Sequence, residues 1–542
     1  MSPPRLCQDT RDVRTEVGFA DAEFDAFIEV GARAAATEVC AARSKPVAVR
    51  EFADMSKPAP KNLLFLLSDN HARGYLGCYG NPLARTPNLD RLAARGARFT
   101  NAYSASPLCC PARAALATGR FPHQTGYWDN AIPFDGHVMS WMRRLRDAGH
   151  TVSSIGKLHF RETSVANGFS AELLPMHILE GKGGVHMLLR AVDRGEPVNA
   201  GQWHLYMDRS GVGTAPYQAF DSEITTAAIA WLEAHANNDG KPWVLFVSYP
   251  SAHPPFSVPA EFYRESDEAA VILPDDWQTP HAEDHAAIAH LRRIMNSQPM
   301  SAADEPALRR VLAGYLALTE HLDTEIGQVL AALEDSGRAA DTRVVYTSDH
   351  GELAGAHGLF GKSCMFEESI GVPLILAGPD VPEGAVIDAP VSHVDLCPTI
   401  LEGAGLDVDE NDVEDLAVSL WAELKTSGTQ RAVFAEYHAA GSKSGSFMLR
   451  QGHWKLLYHV GMQPQLFDLE SDPHELCDLG PNHPKAKELD RKLRAICDPE
   501  AVDARAKSDQ RHWIEHWGGA DRITSEALMI YTPPPGQPAE VE

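Results

Sequence analysis

Short apolar runs recur along the chain from residue 62 onward, and longer amphipathic stretches lie between them. Such runs are typical of buried parallel strands, and they cover Asn62–Leu67, Thr151–Ile155, Trp243–Tyr249, Arg343–Thr347 and Pro373–Ala377. Helical periodicity covers Asn88–Arg95, Ser140–Ala148, Thr225–Ala236 and Glu305–Leu333. Strands that alternate with helices predict an α/β fold with a large central, mixed but mostly parallel sheet flanked by helices.

The pattern changes after about residue 428, where short strands follow one another closely. We predict strands at Ala432–Glu436, Phe447–Arg450, His453–His459 and Gln465–Asp468, and a helix at Pro484–Ile496. This spacing is typical of a small antiparallel sheet with one helix. The predicted organisation is an N-terminal extension (1–60), a catalytic domain (61–428), a C-terminal α+β subdomain (429–500) and an extended C-terminal tail (501–542).

Composition narrows the class of partner. The chain has 74 acidic and 48 basic residues and a net charge of −26, which argues against nucleic acid or an anionic membrane as the partner. No apolar run of about 18 residues and no signal peptide is visible. Nine cysteines at irregular spacings fit a reducing compartment, so we expect a cytoplasmic protein. Met55 begins a stretch typical of a protein start, so residues 1–54 are expected to be either a loosely held extension or the result of an upstream start codon chosen in error.

Two predicted strands end in an acidic residue followed by a second possible metal ligand. Asp69 and Asn70 follow the first strand, and Asp349 and His350 follow the Arg343–Thr347 strand. Strand ends of one parallel sheet share an edge, which is where ligands bind. Carboxylate, amide and imidazole ligands suit a divalent cation such as Ca²⁺ or Mn²⁺. The alternative is that each Asp caps the helix that follows.

Cationic and imidazole groups also stand at strand or loop ends: Lys157, His159, His253 and Lys362. If they converge, they form a pocket for a tetrahedral oxyanion. If they do not, they are surface lysines and structural histidines.

Cys109 stands at a predicted helix start, one turn before Arg113. A helix N-terminus and a guanidinium both lower a thiol pKa, which would favour a thiolate nucleophile. The alternative is a buried structural cysteine.

The segment Cys109–Arg120 (CCPARAALATGR) matches C-x-P-x-R-x-x-L-x-T-G-R. It thereby resembles the signature of the formylglycine-dependent (type I) sulfatases of the alkaline phosphatase superfamily. Further segments that look like blocks of this family are Ser68–Tyr103, Gly156–Phe160, Ser348–Lys362, Glu367–Pro379, Ser392–Leu401 and Gln465–Leu479. The resemblance covers roughly residues 61–500.

The resemblance implies a sulfuric ester hydrolase. A formylglycine-generating enzyme would oxidise Cys109, and one hydroxyl of the aldehyde hydrate would attack sulfur and release the alcohol. Loss of the proton of the other hydroxyl would then expel sulfate and restore the aldehyde. The implied ligands of one Ca²⁺ or Mn²⁺ ion are Asp69, Asn70, Asp349 and His350.

The same resemblance implies roles for the cationic groups. Arg113 and Lys157 would hold formylglycine and sulfate oxygens, and His159 would assist the hydrate. His253 and Lys362 would contact the sulfate or the leaving oxygen, with His253 as the acid.

The sequence departs from the common family pattern at Asn70, where many relatives have Asp, and at His350, where many have Asn. GKLHF (Gly156–Phe160) and the aromatic, Pro-rich tail resemble the choline-sulfatase branch. The alternative activity is hydrolysis of a phosphonate monoester or phosphodiester at the same site, and a non-catalytic binding protein on this fold is a third hypothesis.

No sequence motif indicates the alcohol part of the small sulfated substrate. We expect Asn167–Gly201, Asp267–Pro299 and the tail to shape its pocket. Speculative contacts are His71, Arg73, Trp203, His204 and Glu436. Trp513 and Trp517 suggest that the tail forms a homo-oligomer contact.

Overall fold

The computed structural model describes residues 58–192, 200–237, 240–278, 284–409, 416–425 and 430–541. The predicted extension over residues 1–60 lies outside this part, apart from its last three residues. No helix in these ranges combines the length and hydrophobicity that a membrane span requires.

An eight-stranded sheet forms the centre of the catalytic part, with seven strands parallel and one antiparallel. In spatial order its strands are β12, β2, β11, β9, β1, β7, β4 and β5, of which β11 is antiparallel to its neighbours. Their bounds are β1 Asn62–Ser68, β2 Gly96–Phe99, β4 Val152–Lys157, β5 Ala171–Met176, β7 Val244–Ser248, β9 Thr342–Ser348, β11 Leu374–Ala377 and β12 Ala385–Ile387. The predicted mixed, mostly parallel sheet is confirmed.

Both faces of this sheet are covered, which explains why its strands are continuously apolar. Phe65 of β1 packs with Trp141 and Phe246 on one face, whereas Leu64 packs with Leu322 and Ile326 on the other. The helices around it are α1 Pro87–Ala94, α2 Cys109–Thr118, α3 Pro122–Thr125, α4 Trp141–Asp147, α5 Ala200–Met207, α6 Pro216–Ala234, α7 Glu265–Ala270, α8 Ala286–Ile294, α9 Glu305–Asp335, α10 Glu367–Ile370, α11 Leu396–Gly403 and α12 Leu420–Glu423.

A separate four-stranded antiparallel sheet follows, as the sequence predicts. Its strands are β14 Ala432–Tyr437, β15 Ser446–Gln451, β16 Trp454–His459 and β17 Gln465–Asp468, and helix α13 (Pro484–Ile496) packs on it. The remaining short strands are β3 Ala102–Tyr103, β6 Gly211–Val212, β8 Ser257–Val258, β10 Gly371–Val372 and β13 Val391–Ser392.

The prediction of an extended C-terminal tail is wrong for most of residues 501–542. Residues 499–525 form helices α14 (Pro499–His516) and α15 (Ala520–Ser525), and a hairpin of β18 (Met529–Tyr531) and β19 (Glu540–Val541) follows. The helices are amphipathic, and Trp513 and Trp517 pack against the core that α13 covers. Arg161 and Lys182 also lie over these two indole rings, 5.1 and 5.5 Å from their centroids. The tail is therefore docked on its own chain.

Candidate active site

The carboxyl ends of β1, β9, β4 and β7 meet at one edge of the sheet. Ser68 at the end of β1 is in register with Ser348 at the end of β9, so Asp69 and Asp349 leave the sheet side by side. Lys157 ends β4, and the loop that carries His253 follows β7. The structure therefore places these groups at one edge of the sheet.

Four possible metal ligands meet at this edge and are buried: Asp69, Cys109, Asp349 and His350. One donor atom from each lies within 4.8 Å of the others. The Cys109 Sγ lies 3.2 Å from Nε2 of His350 and 3.9 Å from Oδ1 of Asp69. Two carboxylates, an imidazole and the residue at the start of α2 therefore face a common point.

Arg113 holds the two carboxylates together. Its Nε donates to Oδ2 of Asp349 at 2.8 Å, and its Nη2 donates to Oδ2 of Asp69 at 3.0 Å. Nη1 donates to the Lys157 carbonyl oxygen at 2.7 Å and to the Ser248 hydroxyl at 3.0 Å. The guanidinium is buried, so this fork of charge-assisted bonds fixes both carboxylates rigidly.

The electrostatics of the two carboxylates differ. Burial would raise the pKa of Asp69, but Lys157 and Arg113 outweigh it and hold that pKa well below its usual range. Burial and the neighbouring Asp69 raise the pKa of Asp349. Two buried carboxyl groups this close repel when both are ionised, and an added cation between them would relieve the repulsion.

His350 presents a lone pair to the cluster. Its Nδ1 lies 3.0 Å from the Gly351 carbonyl oxygen, which can only accept, so Nδ1 carries the proton. Burial, with a contribution from Lys362, holds the pKa of His350 well below its usual range. The ring is therefore neutral, and the lone pair of Nε2, which faces the Cys109 Sγ, can bind a metal.

Asn70 sits between a lysine and a third carboxylate. Lys362 Nζ donates to its Oδ1 at 2.9 Å, and its Nδ2 donates to Oε2 of Glu352. Its φ of 62° places it in the left-handed region, which Asn tolerates. Glu352 also accepts from the Tyr206 hydroxyl at 3.2 Å. No sequence signal marks Glu352 or Tyr206 as a site residue, because both act through contacts that form only in the folded chain.

Lys157 and two histidines, His159 and His253, complete the group of charged and imidazole side chains at this edge of the sheet. Lys157 Nζ lies 2.8 Å from Oδ2 of Asp69. Neither ring nitrogen of His159 has a hydrogen-bond partner among the described residues, although the ring is buried. His253 donates from Nδ1 to the Pro254 carbonyl oxygen at 2.8 Å, which leaves its Nε2 free. Burial lowers the pKa values of both histidines well below the usual range, and Lys157 adds to this in each case.

The environment of Cys109 argues against a thiolate nucleophile. Although Cys109 begins α2, burial raises its pKa to about 12, and Asp69 contributes further. The expectation that the helix start lowers this pKa is therefore wrong, because desolvation and a neighbouring carboxylate oppose the helix dipole. As an unmodified thiol, Cys109 is not activated.

A cavity of about 200 Å³ opens above the cluster. Its floor includes Cys109, His159, His253 and Lys362. All three segments that are predicted to shape the pocket contribute to its walls. The lining residues are Ile178 and 183–187 from the first segment, Ile294 and Met295 from the second, and residues of 526–532 from the tail.

The five speculative contacts do not line this cavity. Each of them contacts a residue outside the cavity lining. Glu436 is buried, and its carboxylate oxygens lie 2.8 Å from Nδ1 of His123 and 2.9 Å from Nε2 of His438. The others contact Tyr346 (His71), Glu367 (Arg73), Phe360 (Trp203) and Asp208 (His204).

Comparison with solved structures identifies the fold. The chain is similar to a protein solved in complex with its substrate D-glucosamine-2-N,6-O-disulfate, with a TM-score of 0.63 and 24% identity over 83% of this chain and 98% of that one. It is also similar to the phosphonate monoester hydrolase of Agrobacterium radiobacter, with a TM-score of 0.63 and 22% identity over 82% and 96% of the two chains. These two similarities show that the chain shares the fold of both proteins.

Sequence comparison identifies the family. The Sulfatase family profile matches residues 61–406, and the profile described as N-sulphoglucosamine sulphohydrolase, C-terminal, matches residues 355–499. The chain is 32% identical to choline-sulfatase of Rhizobium meliloti (79% of this chain, 85% of the relative) and 29% identical to arylsulfatase K of Xenopus laevis (83% and 85%). The chain belongs to the sulfatase family, as a type I sulfatase that hydrolyses sulfate esters.

Proposed function

We propose that this sulfatase cleaves a small sulfate monoester to an alcohol and inorganic sulfate with formylglycine at position 109 and one divalent metal ion, Ca²⁺ or Mn²⁺. The observation that carries the proposal is the buried cluster of Asp69, Cys109, Asp349 and His350. A formylglycine-generating enzyme is the expected maturation partner. The modified residue supplies an oxygen nucleophile through its hydrate, and the metal supplies positive charge that polarises the sulfate.

The donor set fits a divalent cation. Asp69 and Asp349 offer hard carboxylate oxygens, and His350 offers a neutral Nε2 aimed at the cluster. Asn70 is the fourth proposed ligand, with its amide oxygen. In this structure that oxygen accepts from Lys362, so the amide is positioned by Lys362 on one side and by Glu352 on the other.

The cationic side chains bind the sulfate group. Lys362 lines the cavity, and Lys157 lies beneath it against Asp69. Arg113 is saturated by the carboxylates and by Lys157 and Ser248, so its role is to position the two acidic residues. A dianionic or monoanionic oxyanion is therefore held by fixed charges that need no rearrangement.

Two histidines handle protons at the reacting atoms. His159 lines the same cavity as Cys109, and neither of its ring nitrogens has a hydrogen-bond partner among the described residues, so it can accept the proton of a hydroxyl at position 109. His253 Nε2 faces the cavity while Nδ1 is held by Pro254. The negative charge of a bound sulfate ester favours the protonated His253 ring, which then donates to the leaving alkoxide.

The alternative activity on phosphonate monoesters or phosphodiesters is a second candidate because of the similar fold of the Agrobacterium hydrolase. Turnover of an aryl sulfate, an aryl phosphodiester and an aryl phosphonate monoester, measured side by side, separates the two activities. A far higher diesterase rate would overturn the sulfatase proposal as the main activity.

Mass spectrometry of the peptide that contains Cys109 tests the nucleophile. Protein produced with a formylglycine-generating enzyme is expected to carry an aldehyde in place of the thiol and to hydrolyse an aryl sulfate. Cys109→Ala is expected to abolish both signals, whereas Cys477→Ser, at an exposed cysteine, leaves both unchanged. An active enzyme whose Cys109 remains a thiol would contradict the proposal.

A further inference from the structure

The segment Glu526–Thr532 forms one wall of the cavity that contains the reacting groups. Glu526, Ala527, Leu528, Met529, Tyr531 and Thr532 line it, together with Cys109, His253 and Lys362 on the floor. We call residues 526–532 the strap. The strap follows the four-stranded antiparallel sheet in the chain, and it nevertheless reaches the carboxyl edge of the central sheet.

The strap is anchored at both ends. At its start, the Glu526 carboxylate forms an ion pair with Lys182, and its carbonyl oxygen accepts from Nε2 of His186 at 3.0 Å. At its end, the Thr532 carbonyl oxygen accepts from the buried Tyr217 hydroxyl at 2.7 Å. These bonds hold the strap across the cavity instead of leaving it as a free tail.

Tyr217 connects the strap to the reaction centre. Its ring packs edge-on against Tyr531 of the strap at 5.3 Å and against His253 at 5.7 Å. Lys157 Nζ lies over the same ring, 5.8 Å from the centroid. The position of the strap and the position of the proposed acid therefore depend on one side chain.

The walls around the strap are mostly apolar. Ile178, Val185, Met187, Met295 and Leu528 line the cavity. Leaving histidines aside, the charged side chains among the described lining residues are Lys362, on the floor, and Glu526, which Lys182 already neutralises. A volume of about 200 Å³ lies below the roughly 300–1,000 Å³ of sites for drug-sized ligands.

We infer that the strap determines specificity by closing the alcohol side of the site, and that it restricts the substrate to monosulfates of a compact, largely apolar alkyl or aryl alcohol. The polar side chains in the lining are few, among them Asn130, Ser363 and Thr532, and a sulfated oligosaccharide would need more of them and an opening past the strap. This inference rests on the proposed sulfatase function of the same site.

The test compares Leu528→Ala and Tyr217→Phe with the wild type and with Leu476→Ala, a matched change at an exposed leucine. Substrates are an aryl sulfate, a short alkyl sulfate and a sulfated disaccharide. The wild type is expected to prefer the first two by at least about 100-fold in kcat/KM. Leu528→Ala is expected to raise KM for the aryl sulfate about 5- to 10-fold, and Tyr217→Phe is expected to narrow the discrimination against the disaccharide.

Inhibition by inorganic sulfate is measured in parallel, because sulfate occupies the floor and not the alcohol side. Its inhibition constant should stay unchanged in Leu528→Ala. Preference of the wild type for the disaccharide, or strap variants that behave like Leu476→Ala, would overturn the inference while leaving the sulfatase function intact. No turnover of any sulfate ester by wild type with modified Cys109 would instead contradict the proposed function.

Discussion

Sγ of Cys109 lies 3.2 Å from Nε2 of His350, and the proton on the opposite nitrogen of that ring is directed to the Gly351 carbonyl oxygen. The side chain at position 109 and a neutral imidazole thus face the same point as two buried carboxylates. Nucleophile and proposed metal are therefore adjacent, so loss of the metal should affect the chemistry directly and not only the binding of substrate.

Removing the metal is expected to abolish sulfate ester hydrolysis. His350→Ala deletes a neutral ligand and leaves the two carboxylates in place, so we expect metal content per chain to fall below about half and kcat to fall at least about 100-fold. Elemental analysis of the purified protein and aryl sulfate turnover, before and after a chelator, measure both quantities.

A second cluster provides the control. His453, Asp468 and Glu470 also bring possible ligand atoms together, but on the surface, and none of the three lines the cavity. His453→Ala should change neither metal content nor turnover. A bound ion that disappears from His453→Ala and persists in His350→Ala would refute the assignment of the metal to the cavity.

Arg113→Lys is expected to inactivate the enzyme although the charge is retained. A lysine cannot bridge Asp69 and Asp349 with the two parallel bonds that the guanidinium makes, and breaking such a buried arrangement costs about 3–5 kcal/mol. We expect kcat to fall about 100- to 1,000-fold with a smaller change in KM. Arg95→Lys, at an exposed ion pair with Glu334, is the matched control and should leave kcat unchanged. Equal activity of the two variants would contradict the bridging role.

Lys455→Met is expected to weaken the attachment of the small sheet to the catalytic part. Lys455 is buried between Glu367 of α10 and Glu475, 2.8 and 2.9 Å from their carboxylate oxygens. Its removal leaves the buried Glu475 carboxylate without its cation, whereas Glu367 keeps its ion pair with Arg73, and we expect a cost of about 3–5 kcal/mol. Tm should fall by more than about 5 °C. Lys485→Met removes a more exposed ion pair with Glu488 and should shift Tm by less than about 1 °C. Similar Tm shifts in the two variants would contradict a stabilising role for Lys455.

The fold could be predicted from the sequence wherever local patterning and burial agree. The helix Pro484–Ile496 and the strand Gln465–Asp468 were predicted with their observed bounds, since amphipathic or apolar periodicity and flanking turn residues mark them. The helices of the tail are not predicted from the sequence, because Trp513 and the Pro-rich residues near the C-terminus indicate an extended chain. Their partners, such as Arg161, are distant in sequence.

The residues of the site also fall into those that the sequence marks and those that it does not. Residues that stand at strand ends or in the signature could be found, because topology alone brings Asp69 and Asp349 together. Residues that act through tertiary contacts carry no local signal: Glu352 reaches Asn70, and Tyr217 reaches His253, only in the folded chain. The direction of the pKa shift of Cys109 is not predictable from the sequence for the same reason, since burial depends on the whole fold.

The buried carboxyl of Asp221, beneath the loop that carries His253, should make stability fall as pH rises. Burial raises the pKa of Asp221 to about 8, with Glu325 contributing, while its carboxyl accepts from the Ser251 hydroxyl. Since the unfolded chain releases this proton near pH 4 and the folded protein keeps it to about pH 8, the unfolded state gains stability between these values. At about 1.4 kcal/mol per pH unit, the loss between pH 5 and 7 amounts to at most about 3 kcal/mol.

Asp221→Asn cannot ionise and keeps an acceptor for Ser251, so its Tm should exceed that of the wild type by a margin that grows from pH 5 to pH 8. Asp335→Asn, at an exposed aspartate near the end of α9, should show no such trend. Thermal unfolding followed by fluorescence across this pH range measures the margin for both variants. A margin that stays constant or shrinks with rising pH would mean that Asp221 is ionised in the folded protein, and that the energetic cost of its burial is met by ion pairing instead of by protonation.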